Sequence, residues 1–383
     1  MKKALRNFFR ITVPTLIVLL LLLELFFRVV IPAADPPMDF FDEKELIYRF
    51  DTNSKKEGVF TIGKAAQQRG QWRINNYGWN SPIDYTTQRE KPLIAIIGDS
   101  YIEAYQVDVD KSYPSLLRNE LKSNYDVYSF GKSGAPLSEY LNYSRYIKKH
   151  FNPDTFIFNV VHNDFDENIS ELNPEVKHML TLNINDSTIT ENLPKPNKSF
   201  KQYNWKKRML NKSAFIRYLY INLHIDRTIR NFGKKDNGQK KFNANIEVTK
   251  AIENKGLIIQ SVDYILAKLY EENPGKRIIF VIDAPRNDIY NNTLENSSIL
   301  FLNEILEKHC SKYNFEYFDL TQPMNNDYKK NQIQFNSELD GHWNEYGHDF
   351  ISKQIRTYLK TSSEIATKNT GNSVPSPELL EKP

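Results

Sequence analysis

The sequence predicts an α/β protein in which helices cover both faces of a parallel β-sheet, preceded by one transmembrane helix. Short apolar runs rich in β-branched residues alternate along the chain with segments of helical periodicity, as in βαβ units. A long apolar segment follows a basic amino-terminal end. A chain of 383 residues, 40% of them hydrophobic and 26% charged, is also long enough to bury a large core.

The first predicted element is a membrane helix. Residues 1–10 carry four basic side chains, and residues 11–31 are almost wholly apolar. Glu24 and Arg28, near the far end, are one helical turn apart and can pair or reach the lipid headgroups. Positive charge on the amino side predicts a cytoplasmic amino terminus, with the rest of the chain exported across a bacterial cell membrane that it crosses once.

A cleaved signal peptide is the alternative for the same segment. The length of the apolar core fits one, and Ala33-Ala34 supplies small residues for a cleavage site. Arg28 lies close to that site and disfavours cleavage. We therefore expect an uncleaved signal anchor, and under either alternative the bulk of the chain works outside the cytoplasm.

The composition beyond the anchor predicts one main domain with flanking segments. Residues 32–87 are predicted to be a connector and an amino-terminal elaboration, and residues 88–360 the α/β domain. Residues 165–253, rich in Asn, Lys and Asp, are predicted to be an insertion of mixed order. Residues 361–383, rich in Ser, Thr, Asn and Pro, are predicted to be disordered.

Hydrophobic patterns locate the elements of the domain. Asn76-Tyr77-Gly78 predicts a turn in the elaboration, and residues 214–225 are the best helix candidate in the insertion. The predicted strands are residues 93–97, 126–130, 155–161, 277–282 and 315–319. The predicted helices are residues 113–123, 137–150, 257–270, 297–310 and 349–359.

Charge and cysteine content exclude several classes of protein. The formal net charge is +4, with basic residues spread among acidic ones, so we expect no nucleic-acid partner. A single cysteine, Cys310, excludes a disulfide framework or a cysteine-based zinc site within one chain. Asp99, Asp164 and Asp340 lie on separate turns and are more typical of helix caps than of a metal site. We therefore expect no metal and no other cofactor.

A candidate nucleophile follows the first predicted strand. The stretch KPLIAIIGDSY, residues 91–101, places Ser100 at the carboxyl end of a buried strand. Ligands and reacting groups gather at that edge of an open α/β sheet. Taken alone, Gly98-Asp99-Ser100 is more typical of an ordinary polar turn after a core strand.

A base and a carboxylate lie far downstream. A serine hydroxyl needs a base within hydrogen-bond reach, and the base needs an orienting carboxylate. Asp340 and His342 are two residues apart in a predicted loop after the last strand, and therefore on the same edge as Ser100. His348 is an alternative base, although its position at the start of a helix suits packing better.

The same edge carries groups that could stabilise an oxyanion. Gly134 follows the second strand and allows close approach of the backbone. Asn163 follows the third strand, and its side-chain amide can donate a hydrogen bond. Each could alone be an ordinary turn residue. Their position on successive strand ends with Ser100 favours a catalytic site.

These residues resemble the motifs of the SGNH (GDSL-type) hydrolase family, in its membrane-anchored bacterial form. The four blocks of the family are matched in order by Gly98-Asp99-Ser100, Gly134, Asn163, and Asp340 with His342. INNYGW, ahead of the first block, extends the resemblance to residues 72–360. The resemblance implies a flavodoxin-like three-layer α/β/α fold and a serine nucleophile. It also implies an oxyanion hole formed by the Ser100 N–H, the Gly134 N–H and the Asn163 side chain.

Two departures from the family pattern concern the site. The carboxylate precedes the histidine by two positions rather than three, and this Asp-x-His-Trp form resembles SGNH-like proteins of exopolysaccharide O-acetylation. His162 stands where the family often has glycine before Asn163, which could narrow the site. Asp99, His162 and Trp343 are therefore expected to contact substrate or to support the residues that do.

The expected function is that of an extracytoplasmic serine esterase acting on acyl groups, such as acetyl groups, of envelope carbohydrate or on similar small esters. A carbohydrate O-acetyltransferase would use the same residues. A non-catalytic envelope scaffold, with the insertion as its partner surface, is a third alternative. The loops that select a substrate have no readable pattern, so the sequence leaves the acyl group and its acceptor open.

Overall fold

The amino-terminal helix is long and nearly continuous. The computed structural model describes residues 2–174, 176, 178–185, 188–196, 212–225, 242–244, 246–337 and 339–370. Helix α1 (Lys2–Asn7), a π-helical turn (Phe8–Thr12) and helix α2 (Val13–Val29) follow one another without a break. The 25 residues Leu5–Val29 are long and apolar enough to cross a membrane, a property that membrane anchors and signal sequences share.

Two β-hairpins form the amino-terminal elaboration. Strand β1 (Asp39–Asp42) pairs antiparallel with β2 (Ile47–Phe50), and β3 (Glu57–Ile62) pairs antiparallel with β4 (Gln68–Arg73). The turn predicted at residues 76–78 is confirmed. The Asn75 side-chain oxygen accepts hydrogen bonds from the N–H groups of residues 77 and 79, as in an Asx turn.

The α/β domain follows with alternating strands and helices. Its strands are β5 (Leu93–Gly98), β6 (Asp126–Gly131), β7 (Thr155–Val160), β8 (Thr181–Asn185), β9 (Thr188–Asn192), β10 (Phe242–Asn243), β11 (Ile246–Glu247), β12 (Arg277–Ile282), β13 (Glu316–Asp319), β14 (Asn336–Ser337) and β15 (Asp340–Trp343). Its helices are α3 (Ser100–Glu103), α4 (Tyr113–Leu121), α5 (Leu137–Phe151), α6 (Asp164–Glu167), α7 (Ala214–Arg217), α8 (Val248–Glu253), α9 (Lys255–Glu272), α10 (Arg286–Tyr290), α11 (Leu300–Lys312), α12 (Thr321–Asn331) and α13 (Glu345–Thr370). Single 3₁₀ turns occur at Val109–Lys111 and Leu294–Asn296, and a π-helical turn, Tyr218–Asn222, extends α7.

Five parallel strands form the central sheet, in the order β13-β12-β7-β5-β6. Numbered along the chain, this is the flavodoxin-like order 2-1-3-4-5, so the predicted fold is confirmed. The order reverses between β5 and β7, which are neighbours in the sheet. Ligand sites of such sheets lie at that switch point, beyond the carboxyl ends of the strands.

Side chains of the sheet alternate between two apolar layers, as the twofold period of a strand requires. On β5, Leu93, Ala95 and Ile97 pack into one layer, whereas Ile94 and Ile96 pack into the other. Helices α5, α9 and α11 cover the first face, and α4, α12 and α13 cover the second. The domain therefore has the predicted three-layer α/β/α architecture.

Two glycines let the short helix α3 approach the end of the sheet. Gly98 and Gly131 lie opposite each other in register on β5 and β6. A β-carbon at residue 98 would lie 2.3 Å from Ile102 Cγ1, and one at residue 131 would lie 2.2 Å from the Glu103 backbone nitrogen. Only glycine fits at both places without moving α3. Because α3 begins at Ser100, these glycines fix where the serine lies.

The insertion contributes small elements to the sheet's first face. Strands β8 and β9 form an antiparallel hairpin, and its residues Leu180, Leu182 and Ile184 join the apolar layer. Glu139 of α5 anchors the hairpin by accepting a hydrogen bond from the Leu180 N–H at 2.5 Å. Part of the predicted insertion, including residues 197–211 and 226–241, lies outside the described residues.

The carboxyl-terminal helix is longer than predicted. Helix α13 starts at Glu345 and continues past residue 359 to Thr370, and the disorder of residues 361–383 stays a prediction. Serine, threonine and asparagine lower helix propensity only slightly, and no proline or glycine interrupts the chain before Gly371. Residues 371–383 lie outside the described residues.

The close approach of α3 predicts a large cost for the substitution Gly131→Ala. The added methyl group would overlap backbone atoms of residues 102 and 103, which cannot move without displacing α3. We expect the free energy of unfolding in urea to fall by about 1–3 kcal/mol. Gly256→Ala in α9 is the matched control, because its methyl group meets no atom within 4 Å. It should leave stability unchanged or raise it, and equal effects of the two substitutions would contradict the prediction.

Candidate active site

Asp99 and the first turn of α3 hold Ser100 at the carboxyl edge of the sheet. Asp99 is the N-cap of α3, and its Oδ1 accepts a hydrogen bond from the Tyr101 N–H at 2.9 Å. Burial raises the pKa of Asp99 to about 6, although this hydrogen bond and the nearby His342 oppose the rise. Asn80 donates to the carbonyl oxygen of Glu103 at 2.6 Å and fixes the other end of the helix.

Ser100, His342 and Asp340 form one hydrogen-bonded chain. His342 Nε2 lies 2.7 Å from Ser100 Oγ, and His342 Nδ1 lies 2.6 Å from Asp340 Oδ1. A carboxylate can only accept, so Nδ1 carries the proton in the neutral ring and Nε2 accepts from the serine hydroxyl. The His342 and Asp340 side chains are 20% and 17% exposed, so the chain of groups can be reached from solvent.

Asp340 and His342 lie on a strand and not in the predicted loop. Strand β15 pairs antiparallel with β14 in a small hairpin that follows α12, not directly after a strand of the central sheet. A pairing this short has no alternating pattern that the sequence could display. Burial alone would raise the pKa of Asp340, but the hydrogen bonds and charge of His342, with a hydrogen bond from Gln106, lower it. Asp340 is therefore ionised at neutral pH.

Tyr101 ties this hairpin to the sheet. Its hydroxyl donates to the Gly341 carbonyl oxygen at 3.0 Å and accepts from Arg286 Nη2 at 2.5 Å. Its ring centroid lies 4.8 Å from that of His342 and 4.7 Å from that of Trp343. The residue after the candidate nucleophile therefore holds the backbone beside the candidate base and packs against its ring.

A buried ion pair at the end of β12 supports the same hairpin. Arg286 Nη2 lies 3.0 Å from Asp283 Oδ2, and both side chains are less than a tenth exposed. Asp283 Oδ1 accepts a hydrogen bond from Trp343 Nε1 at 3.2 Å. Burial opposes the charge of Arg286, but Asp283 and Tyr101 raise its pKa above the ordinary value. The guanidinium is therefore a permanent charge under the site.

The predicted oxyanion donors lie in two loops at the same edge. Gly134 adopts φ = +75° in an exposed loop after β6, and its N–H has no partner among the residues that the structure describes. The buried carboxylate of Glu103 accepts from the Ser133 N–H and lies 4.0 Å from Lys132 Nζ. This contact fixes the loop next to α3.

Asn163 lies in the second of these loops, after β7, and its side-chain amide hydrogen-bonds the carboxyl group of Glu167. Burial raises the pKa of Glu167 to about 8, with Asp166 and Asp99 contributing negative charge and the Asn163 hydrogen bond opposing the rise. Glu167 is therefore mostly protonated at neutral pH. The Asn163 amide bonds the charged form of Glu167 more strongly than the neutral form, so protonation of Glu167 makes the amide nitrogen more available to other acceptors.

The other predicted site residues are buried. Trp343 is fully buried and bonded to Asp283, and His162 is 1% exposed with its Nε2 3.0 Å from Asn303 Oδ1. Burial lowers the pKa of His162, so the ring is neutral. These two side chains lie in packed surroundings and can act on a substrate only through their neighbours. Asp99 is also buried, and its Oδ2 lies 3.2 Å from Ser100 Oγ.

His348 does not fit the role of the alternative base. Its ring is 1% exposed, and Nδ1 accepts a hydrogen bond from the Tyr113 N–H at 3.2 Å. Burial and the nearby His342 lower the pKa of His348 to about 3. A neutral, buried ring in this position supports the packing of α13 on α4.

Tyr101, Asp283, Arg286 and Glu167 are supporting residues that the sequence did not reveal. Asp283 directly follows a predicted buried strand, and Arg286 stands three residues later with the opposite charge. That spacing at a strand end could have indicated a buried pair. Tyr101 and Glu167 have no comparable signal. Among the described residues, no cluster of three or more His, Cys, Asp or Glu side chains could hold a metal ion.

The tyrosine contacts predict a selective loss of stability in Tyr101→Phe. The substitution keeps the ring but removes the hydroxyl that joins Arg286 and the Gly341 carbonyl group. The free energy of unfolding in urea should therefore fall by about 1–3 kcal/mol. Tyr113→Phe is the matched control, since that ring also packs on Trp343 while its buried hydroxyl has no partner in the described part of the chain. The control should be neutral or stabilising, and the reverse order of stabilities would refute the role given to the Tyr101 hydroxyl.

Solved structures that resemble this chain at low identity include a lipase/acylhydrolase and two esterases. A lipase/acylhydrolase from Enterococcus faecalis is 11% identical, with 71% of this chain and 96% of that chain covered and a TM-score of 0.38. The acetyl xylan esterase AlAXEase is 12% identical, with coverage of 70% and 99% and a TM-score of 0.38. A two-domain esterase active on acetylated mannans is 12% identical, with coverage of 76% and 53% and a TM-score of 0.37.

No curated protein sequence matches the chain. The sequence profile of the GDSL-like lipase/acylhydrolase family matches residues 96–350, which is more than half of the chain. The matched range runs from within β5 to within α13, and thus includes the three hydrogen-bonded side chains and both loops beside them. The chain therefore belongs to the GDSL-like lipase/acylhydrolase family and is a hydrolase of ester bonds.

Proposed function

We propose that the chain is an extracytoplasmic serine esterase that removes small acyl groups, such as acetyl groups, from envelope carbohydrate. The observation that carries the proposal is the hydrogen-bonded chain from Ser100 through His342 to Asp340, with distances of 2.7 and 2.6 Å. In this proposal Ser100 is the nucleophile, His342 the general base and Asp340 the group that orients the imidazole. The ordered site faces solvent at the switch point of the sheet.

The reaction proceeds in two halves. Ser100 Oγ attacks the acyl carbonyl carbon while its proton passes to His342 Nε2, and Asp340 stabilises the imidazolium. The tetrahedral intermediate collapses, the bond to the alcohol breaks, and the imidazolium protonates the departing oxygen. Water then attacks the acyl-enzyme and gives its proton to His342. Release of the free acid and return of the proton to Ser100 Oγ restore the enzyme.

The developing oxyanion has three donors in this scheme. The Ser100 N–H lies at the start of α3, where a helical N–H has no partner within the helix. The N–H of Gly134 and the amide nitrogen of Asn163 approach from the neighbouring loops. Neutral Glu167 competes less than its carboxylate for the Asn163 amide nitrogen, which is then available to the oxyanion. Removal of one such donor typically costs a hundredfold to about a thousandfold in kcat.

Several features support a small acyl group on a bulky polar alcohol. A β-carbon at Gly134 or Gly341 would meet no atom within 4 Å, so there is open space next to the backbone at both positions. In this proposal the space admits a bulky sugar ring. The amino-terminal apolar helix and the resemblance of Asp340-x-His342-Trp343 to exopolysaccharide-modifying proteins support an envelope carbohydrate as the alcohol.

The exposure of the base favours hydrolysis over acyl transfer to a second sugar. A transferase would use the same three side chains but must keep water from the acyl-enzyme. His342 and Asp340 are about one-fifth exposed, so water has access to the general base. Free acetate should therefore exceed acetyl groups moved to an added glycan. If more acetyl groups appeared on the added glycan than as free acetate, the result would contradict hydrolysis and support the transferase.

The substitution Ser100→Ala tests the nucleophile. Release of acetate from an acetylated sugar, and of nitrophenol from nitrophenyl acetate, should fall by at least about a thousandfold, as for removal of other triad nucleophiles. Ser311→Ala, on the exposed surface of α11, is the control and should keep full activity. A fluorophosphonate should label the wild-type protein on the peptide containing Ser100. Retained activity in a folded Ser100→Ala protein would refute the assignment.

The pKa of Glu167 predicts how activity depends on pH. Its neutral form is lost as pH rises through about 8, and the resulting carboxylate attracts the Asn163 amide nitrogen away from the oxyanion. We expect kcat for nitrophenyl acetate to fall across this range in the wild type and to stay level in Glu167→Gln. Glu139→Gln is the matched control, because Glu139 also has a pKa raised to about 8 by burial but bonds Leu180 and Asn142. Identical profiles of wild type and Glu167→Gln would contradict this role.

A further inference from the structure

The amino-terminal helix is joined to the catalytic domain by side-chain contacts and not only by the chain. Glu24 of α2 accepts hydrogen bonds from Ser213 Oγ at 2.7 Å and from the N–H groups of Ala214 and Phe215 at 3.0 and 3.1 Å. Arg28 Nη2 also lies 2.6 Å from Glu24 Oε1 and forms an ion pair with it. A carboxylate of the amino-terminal helix therefore caps the first turn of α7, which belongs to the insertion.

Aromatic packing extends this contact along the same face. The Phe27 ring stacks on Tyr218 with centroids 3.9 Å apart and an interplanar angle of 22°, and on Phe215 at 5.9 Å. Phe27, Ala33, Ala214 and Tyr218 form a small buried core of their own. The two segments are therefore packed as parts of one folded unit.

The far side of the insertion segment is fixed to the amino-terminal elaboration. Asn222 donates to Thr61 Oγ1 at 3.0 Å and accepts from the Ala34 N–H at 3.0 Å. Tyr218 donates its hydroxyl proton to the Lys64 carbonyl oxygen at 2.7 Å. Residues 213–222 thus lie between the end of α2 and the β3–β4 hairpin and hold the two together.

The depth of these contacts follows from the length of the helix. The 25 residues Leu5–Val29 reach about 37 Å at about 1.5 Å per residue, which exceeds the about 30 Å of hydrocarbon in a bilayer. Glu24 lies within the last two turns of that span, near the boundary between acyl chains and headgroups. Ser213, Ala214 and Phe215 must lie at the same depth, because they hydrogen-bond its carboxylate.

An apolar groove faces outward at this depth. A cavity of about 450 Å³ lies between α2 and α7, lined largely by Ile17, Leu20, Leu21, Phe215 and Ile216. Leu20 and Leu21 are 44% and 64% exposed, and Tyr220 on the π-helical turn is 56% exposed. An aromatic residue with a hydroxyl group is typical of the membrane–water boundary.

We propose that residues 212–225 form an interfacial element, which rests in the outer leaflet of the lipid bilayer against the retained amino-terminal helix. Outer-leaflet acyl chains fill the apolar groove, and Tyr220 lies among the headgroups. Cleavage near Ala33-Ala34 would remove Glu24, Phe27 and Arg28 and leave the start of α7 and the Tyr218 ring uncovered. The helix is therefore kept in the mature protein, and the catalytic domain sits directly on the membrane.

Retention of the helix is tested on the mature membrane-bound protein. Mass spectrometry of the purified full chain should detect a peptide that contains residues 17–28. A mature amino terminus after Ala34 would overturn the proposal. This measurement does not depend on catalysis, so its outcome is separate from that of the proposed esterase activity.

Contact with lipid is tested with Tyr220→Cys carrying an environment-sensitive fluorophore. The native Cys310 is buried and should not compete for the label. In vesicles of phosphatidylcholine and phosphatidylglycerol, lipids with a quencher near the headgroup should quench the fluorophore at residue 220. A fluorophore at Lys308→Cys, on the exposed surface of α11, should not be quenched. Equal quenching at the two sites would overturn the proposal. Quenching at residue 220 that appears only at high protein-to-lipid ratios would also overturn it, because it would indicate contact with a second copy of the chain.

The role of Glu24 is tested by adding Glu24→Ala to the labelled protein. Loss of the cap should free the segment, with loss of quenching at residue 220. Leu25→Ala is the matched control, because Leu25 is 58% exposed and should leave quenching unchanged. A cooperative unfolding transition in urea for both variants shows that the catalytic domain is folded. Full quenching in a folded Glu24→Ala protein would overturn the docking of the segment by this carboxylate.

Discussion

The hydrogen bond between Ser100 Oγ and His342 Nε2 joins residues that are 242 positions apart, and both of its ends depend on helix α3. Gly98 and Gly131 let α3 lie close against the sheet, which fixes Ser100. The next residue, Tyr101, holds the Gly341 carbonyl group and packs on the His342 ring. One four-residue helix therefore determines the position of the proposed nucleophile and of its proposed base. A shift of α3 would therefore move Ser100 and His342 together.

The carboxyl groups of Asp340, Asp99 and Glu167 lie in different environments, and these environments give them different protonation states. Asp340 is held ionised by His342, whereas burial raises the pKa of Asp99 to about 6 and that of Glu167 to about 8. Asp99 and His342 both lie within reach of the serine hydroxyl, at 3.2 and 2.7 Å. The shorter contact, and the hydrogen bond from His342 Nδ1 to Asp340 that orients the ring, favour His342 as the proton acceptor. Such opposed pKa shifts in one site are the usual means of assigning different tasks to similar groups.

The sequence was most informative where a signal is local. The five central strands are short and mostly apolar, and turn residues bound them, so their existence and order along the chain could be predicted. Gly98-Asp99-Ser100 marked the first strand end. The β14–β15 hairpin could not be predicted, because four residues paired with two have no period. The role of Tyr101 could not be predicted for a different reason. Its partner Arg286 is 185 residues away, and only the folded sheet brings β5 and β12 to the same edge.

A series of contacts connects the proposed interfacial element to the β14–β15 hairpin, which carries His342. Asn222 bonds Thr61 on β3, β3 pairs with β4, and Gln68 on β4 accepts a hydrogen bond from Ser337 Oγ on β14 at 2.5 Å. Each link is a hydrogen bond between described elements, so under this proposal the fold, and not a flexible tether, would set the height of His342 above the membrane. An esterase held in this way can reach only substrate that lies within a fixed distance of the lipid surface. The proposed substrate, envelope carbohydrate, would satisfy that limit where it lies close to the membrane, whereas polymer far from the membrane would have to be brought to the enzyme.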